Sequence, residues 1–453
     1  MQSHETLMTT GPAWRHIVRF AAPLLWGNLF QQLYNVVDSL VVGNFIGQDA
    51  LAAVSSSGSL IFLMVGFFNG IFAGASVVVA RFFGAGDEEG VRSAVHTTVA
   101  FGVAAGLLVT ALGVLLTPTL LVWMGTPQSV MPNSVAYFRT YFSGVVFMVL
   151  YNTAAGIFQA VGDSRHPLYY LIASSLTNVA LDLLFVAVFH MGVEGAALAT
   201  VLSQALSVCL GFYRLIHTQG VYRVRPRQVR IQGQMLRRVL AMGIPSGVQN
   251  AIISLANVVV QSSINLYGAM AMAGCGAYAK IEGFAFLPIN AFVLALAMFI
   301  GQNLGAGEHR RARRGAAFGI VTCMALAELI GVAFYLLAPR LIALFNADAQ
   351  VVAFGTQQAR TITLFYFLLA LSHAVAGVMR GAGRPVVPML VMLVCWCLVR
   401  VSYILLAARP SGEIQMIFWA YPLTWGLSSL AFLIYYFRAD WPHYLEKKSA
   451  ARV

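Results

Sequence analysis

Two aspartates sit where acids are costly. Asp38 and Asp182 lie inside long apolar runs, where an ionised side chain costs about 2.5–3.5 kcal/mol by insertion scales. Asp38 ends a polar stripe made with Asn28, Gln31 or Gln32, and Asn35. Those residues are three or four apart and share one helical face, which must line a cavity or another helix rather than lipid. Asn178 and Asp182 are four apart and also share a face. Thr200 lies about midway into the next run, near enough in depth to join them. Two carboxylates, an amide oxygen and a hydroxyl form a hard-oxygen set, suited to a proton shared between acids or to a sodium ion. The remaining ionisable residues within runs are Lys280, Glu282, Glu328, His373 and Arg400. Lys280 and Glu282 are two apart, so they face different ways. Glu282 either pairs with Arg400 or lines the C-terminal half. Glu328 and His373 read as structural.

The elements that position these residues follow from composition. Of 453 residues, 59% are hydrophobic and 10% charged, against roughly 25% charged in a soluble domain. A spanning helix needs about 20 apolar residues. Twelve runs qualify, near 16–42, 51–80, 93–116, 135–160, 167–189, 193–216, 238–266, 270–304, 315–337, 353–379, 386–407 and 414–437. They are long and continuous, which argues against a barrel. The first is expected to be a retained helix rather than a signal peptide. Short connections leave no room for a globular domain, so soluble catalysis and nucleic-acid binding are disfavoured. The five cysteines fall inside runs and form no CxxC pair; they read as packing groups. None of the three lysines follows a glycine, so no P-loop is present, and no HExxH or GxSxG motif occurs. The expectation is a non-enzyme without a cofactor, whose only small ion is a coupling H+ or Na+.

The net charge of +12 is not spread evenly. Of 28 Lys and Arg, 22 fall at the N-terminus, in the even-to-odd connections or in the tail, and only Arg340 and Arg409 in the opposite set. Cytoplasmic loops carry such an excess, so both termini are expected in the cytoplasm, in a multi-pass protein of the cell (inner or plasma) membrane. The basic stretch at 214–237 is a cytoplasmic connector able to meet anionic headgroups.

A duplication organises the chain. Pro23, Asn28 and Asn35 recur 222 residues later as Pro245, Asn250 and Asn257. After a one-residue slip the offset is 221: Gly84-Ala85-Gly86 matches Gly305-Ala306-Gly307, Arg139-Thr140 matches Arg360-Thr361, and Gly156, Gly162 and Pro167 match Gly377, Gly383 and Pro388. Residues 1–213 form an N-terminal lobe of six helices and 238–453 a C-terminal lobe of six plus a tail. Six is even, so both halves enter the membrane in one orientation. The expected fold is all-α, with two lobes related by a pseudo-two-fold axis along the membrane normal, an architecture of transporters with alternating access. The acids do not repeat: Asp38 maps to Val260, Asn178 to Val399, Asp182 to Tyr403 and Thr200 to Tyr421. That asymmetry assigns ion coupling to the N-terminal lobe.

The chain resembles a multidrug and toxic compound extrusion (MATE) transporter over essentially its whole length. The likeness rests on Pro23 with Asn35-Val36-Val37-Asp38, Gly84-Ala85-Gly86, Asn178-x-x-x-Asp182, Glu282-Gly283-Phe284-Ala285-Phe286-Leu287-Pro288 and Gly301-Gln302-Asn303-Leu304-Gly305-Ala306-Gly307. It implies cation-coupled efflux by alternating access. By position, Asp38, Asn178, Asp182 and Thr200 match the family's N-lobe cation site, which would hold Na+ if sodium is the ion. Gln31, Asn35 and Asn152 match cavity-lining positions, with Glu282 a candidate beside them, and Pro23 matches a proline where the first helix bends. The branch with carboxylates in the seventh and tenth spans is not matched, since those regions offer Gln249, Asn257 and His373; the chain is similar to the branch with acids in the N-terminal lobe. The reading is a monomeric antiporter of small amphipathic, often cationic compounds, in contact with membrane lipid and not with nucleic acid. The alternatives are a flippase for lipid-linked precursors, disfavoured by the scarcity of arginines within spans, and a receptor or scaffold, which leaves the asymmetry without a reason. A membrane-embedded enzyme is a remote fourth.

Overall fold

In hydrocarbon every backbone N–H and C=O must find its partner inside the chain, so long apolar runs fold as helices. The computed structural model describes residues 5–45, 48–123, 126, 128 and 130–444, with side chains for all of these except 34–63. The first half comprises α1 (Ala13–Phe45), α2 (Gln48–Gly84), α3 (Glu88–Trp123), α4 (Met131–Ser143), α5 (Val145–Ala160), α6 (Arg165–Asp182) and α7 (Gly192–His217). The second comprises α8 (Gly233–Asn265), α9 (Ala269–Gly305), α10 (His309–Ala343), α11 (Ala349–Ile362), α12 (Tyr366–Gly381), α13 (Val386–Met392), α14 (Arg400–Tyr403), α15 (Arg409–Ser411) and α16 (Ile414–Arg438).

These pieces make twelve rods. α4 and α5 are one rod bent by 42°. α6 runs on through π-helical turns, Leu183–Val188. A 3-10 turn, Thr363–Phe365, joins α11 to α12, and π-helical turns join α13, α14 and α15. Ten rods are long and apolar enough to cross a membrane and the bent pair is an eleventh; α1 is the twelfth. The protein is therefore an all-helical, multi-pass membrane protein with two six-helix lobes.

The runs at 135–160 and 353–379 are broken where the sequence reading has them continuous. The first break falls at Gly144, where an added Cβ would lie 2.3 Å from the Val201 side chain. The second is packed against Gly331 of α10, whose Cβ would lie 2.2 Å from Thr363 O.

The chain forms two compact units, Met1–Leu7 with Trp26–Ala241, and Met8–Leu25 with Met242–Val453. The divisions fall inside α1 and α8, close to Pro23 and Pro245. In the first unit Phe68, Phe72, Phe138, Phe142 and Met148 form the core, and the connector lies against α3, with Arg225 N–H donating to His96 Nε2 at 3.0 Å. In the second, Tyr278, Phe299, Tyr366, Phe418 and Trp425 are the large buried side chains. The duplication extends to backbone angles. Gly86 and Gly307 have φ of 69° and 75°, and Gly162 and Gly383 have 84° and 83°. Each pair ends matching rods with the left-handed residue that closes a helix and is tolerated best by glycine.

Candidate functional site

The break after α6 and the return through α7 bring three of the expected residues together. Asn178 and Asp182 stack one turn apart on α6, and Thr200 faces them from α7; their exposures are 1%, 0% and 7%. Asn178 links the other two. Its amide nitrogen donates to Asp182 Oδ2 at 2.9 Å, while its carbonyl oxygen accepts from the Thr200 backbone N–H at 3.2 Å. Turned the other way, the nitrogen would lie 3.4 Å from Thr200 Oγ1 and the amide oxygen would face the carboxylate, so the first orientation is the one that pairs donors with acceptors. Thr200 Oγ1 donates to Ala196 O at 3.1 Å, which leaves its lone pairs toward Asn178. A carboxylate, an amide and a hydroxyl are thus grouped inside the helix bundle.

The other expected residues stand as follows. The side chains of Asn35 and Asp38 on α1 lie outside the described residues. Gln31 is exposed. Asn152 is half-buried on α5 and its Nδ2 donates to Met148 Sδ at 3.2 Å. Pro23 lies within α1.

In the second unit Glu282 does not pair with Arg400. Tyr278 Oη donates to Glu282 Oε1 at 3.4 Å and lies 2.9 Å from Tyr366 Oη. Lys280 points away, exposed, 5.5 Å from the Phe345 ring centroid. Glu328 Oε2 accepts the Phe367 N–H at 3.1 Å, so it serves the first turn of α12. His373 sits between Phe286 and Trp396, with ring centroids at 6.0 and 5.4 Å.

Sequence reasoning missed what surrounds Arg400. This side chain is 1% exposed and lies between two aromatic rings, 4.9 Å from the Trp396 centroid and 4.7 Å from that of Tyr421. Its Nη2 and Nε donate to Thr424 Oγ1 at 2.8 and 3.1 Å, and Nη1 to Asn257 Oδ1 at 3.5 Å. Trp425 packs against Trp396, Tyr366 and Tyr421, and its buried Nε1 has no hydrogen-bond partner among the described residues. Spacing carried the signal: Trp396 and Arg400 are four apart, and Tyr421, Thr424 and Trp425 are three or four apart, hence on common faces.

The first unit thus groups a carboxylate with an amide and a hydroxyl, and the second groups donors and aromatic faces. Comparisons with known proteins bear on the fold and on the duplication. The probable multidrug resistance protein YpnP of Bacillus subtilis is 28% identical, covering 96% of this chain and 97% of its own. The probable multidrug resistance protein NorM of Thermotoga maritima is 23% identical, over 84% of this chain and 82% of its own. A solved structure described as MATE in complex with MaL6 has a TM-score of 0.91 at 21% identity, with 98% of this chain and 100% of that one covered. The MatE family model matches residues 23–184 and again 245–406, the same 222-residue step that opens the duplication. The protein belongs to the MatE family of membrane transporters.

Proposed function

We propose that the protein is a secondary active exporter that exchanges H+ or Na+ for small amphipathic, often cationic compounds by alternating access. The observation that carries this reading is the buried Asn178–Asp182–Thr200 group; Asp38 on α1 is proposed as the second carboxylate. In this proposal these four residues hold the coupling ion, and Gln31, Asn35 and Asn152 line the path of the substrate in residues 1–213. The basic connector at 214–237 joins this lobe to residues 238–453. Pro23 is the point at which α1 bends between states. Ion and substrate bias the cycle through their different affinities for its two states. The relatives named as multidrug resistance proteins support the substrate class, and the arginine asymmetry supports cytoplasmic termini in the plasma membrane. The protein works as a monomer.

Proteoliposomes loaded with a cationic dye provide the test, with a pH gradient and a sodium gradient imposed separately. Flux driven by one gradient, and lost in Asp182→Asn, is expected and names the ion. Equal flux from wild type and variant would overturn the assignment.

A second reading has one observation in its favour. Arg400, held between Trp396 and Tyr421, suits an aromatic anion. A relative from Shewanella oneidensis, 22% identical over 85% of this chain, is named an FAD transporter. Competition between flavin nucleotide and cationic dye for export distinguishes the two substrate classes.

A further inference from the structure

A cleft of about 840 Å3 lies on the second unit, where the end of α10, α11 and the start of α16 meet. Nothing described above uses it. Its polar wall is Thr356, Gln357 and Arg360 from α11 and Gln415 from α16. The Arg360 guanidinium stands 5.7 Å from the Tyr335 ring centroid and pairs with no carboxylate among the described residues. Thr356 Oγ1 is shut off from solvent without a hydrogen-bond partner. No acid lines the cleft. Such a wall offers guanidinium and amide donors and no negative charge, so it selects a group with several anionic oxygens.

The rest of the lining is largely apolar. Phe365 meets Trp419 edge-on at 5.7 Å. Trp419 is 41% exposed and heads a stripe along α16 of Leu423, Leu427, Leu430 and Ile434, all at least 40% exposed. The spacing of three or four puts them on one face, and in a membrane-spanning chain an exposed leucine face meets acyl chains. Donor wall and acyl path therefore join at Trp419, as the head and tail of one amphiphile do. The depth fits as well. Tyr335 is eight residues from Ala343, where α10 ends, about 12 Å at 1.5 Å per residue. That is the zone of the headgroup and the first acyl carbons. Because α16 ends beside the C-terminal tail, the cleft lies at the opposite membrane face.

The duplication supplies an internal control. Arg360 has a counterpart in Arg139, but Tyr335, Thr356, Gln357 and Trp419 are replaced at the same offset by Val114, Val135, Ala136 and Leu198, and Gln415 by Glu194. The first half keeps the arginine, lacks its helpers and places an acid at the rim.

We propose that this cleft binds an anionic phospholipid in the leaflet facing away from the C-terminal tail. Arg360 holds the phosphate, the Gln357 and Gln415 amides, which lie 3.5 Å from each other (Nε2 to Oε1), supply further N–H donors, and an acyl chain runs down the α16 stripe from Trp419. The full-length protein, delipidated in detergent, is titrated by native mass spectrometry with phosphatidylglycerol, with phosphatidylcholine of the same chains, and with glycerol 1-phosphate. Phosphatidylglycerol is expected to bind in preference to phosphatidylcholine. Arg360→Gln should weaken it about fivefold, the fold-change given by about 1 kcal/mol per basic residue. Arg139→Gln should leave it unchanged. Equal binding of both lipids, or wild-type retention by Arg360→Gln, overturns the proposal. Displacement by glycerol 1-phosphate at equal concentration overturns it too, in favour of a soluble-phosphate site. Should Arg360→Gln fail to fold, Gln415→Glu, which gives the rim the acid of the first half, carries the same expected loss.

Discussion

Asn178, Asp182 and Thr200 of the first unit stand 221 residues before Val399, Tyr403 and Tyr421 of the second. The left-handed glycines that end matching rods agree in φ to within 6°, so the scaffold has been kept while its lining has changed. In the first unit a buried carboxylate receives an amide N–H at 2.9 Å. In the second, a residue one step past Val399 is a buried guanidinium held between aromatic rings and bonded to Thr424. A charge inside a membrane bundle persists only where neighbours replace its water. Each unit does this with different chemistry: an amide N–H for the anion, π-faces and a hydroxyl for the cation. Divergence at a handful of positions is enough to give two copies of one fold opposite polarity.

The largest effect is expected on the acidic side of this comparison. Asp182→Asn keeps an acceptor for the Asn178 amide, so the protein should insert and fold while gradient-driven export in proteoliposomes drops to the level of empty vesicles. Asp182→Ala removes that acceptor as well. It should lose export and also about 1–3 kcal/mol of stability, the cost of stranding a buried donor, which thermal melting in detergent reads. If the Asn variant exports as wild type does, the functional half of the comparison fails.

On the basic side the effect should be selective. Arg400→Met leaves an apolar stem between Trp396 and Tyr421 and removes the charge. Lost cation–π contacts, about 0.5–1 kcal/mol each, are offset by no longer burying an ion, so melting should shift little. Export of an anionic aromatic compound should fall while export of a cationic dye continues. A loss of both in equal measure would make Arg400 a structural residue and remove the polarity argument.

Why the two sides were unequally legible is itself physical. Polar residues in an apolar run stand out, and a spacing of four places Asn178 and Asp182 on one face without knowledge of the fold. The twelve runs and the duplication were legible for the same reason, since spans are set by length and apolar content. The surroundings of Arg400 were not, because tryptophans and tyrosines in a membrane helix read as packing. Their convergence depends on α16 lying against the π-helical segment after α13. Nor could the need for glycine at the bend be read, because the side chain that leaves no room for a Cβ at Gly144 is Val201, 57 positions away in the chain. Asp38 and Asn35 rest on the stripe and on the family resemblance, and their side chains lie outside the described residues.

The smallest effect concerns the acid that the comparison places outside the functional set. Glu328 lies within a span, as Asp182 does, yet its position in the first half is occupied by Leu107. Its carboxylate accepts a single backbone N–H, that of Phe367 at 3.1 Å, in the first turn of α12. A helix N-terminus has N–H groups without intrahelical partners, and the 3-10 turn before Tyr366 puts one of them within reach of α10. The service Glu328 performs is thus acceptance of a hydrogen bond, which a neutral amide also performs. Glu328→Gln should match wild type in export and in melting temperature. Glu328→Ala should cost about 1 kcal/mol, as loss of a helix cap does, with export intact. A loss of export in Glu328→Gln would show that the charge matters and move Glu328 beside Asp182, giving the second unit a coupling acid and ending the division of labour between the halves.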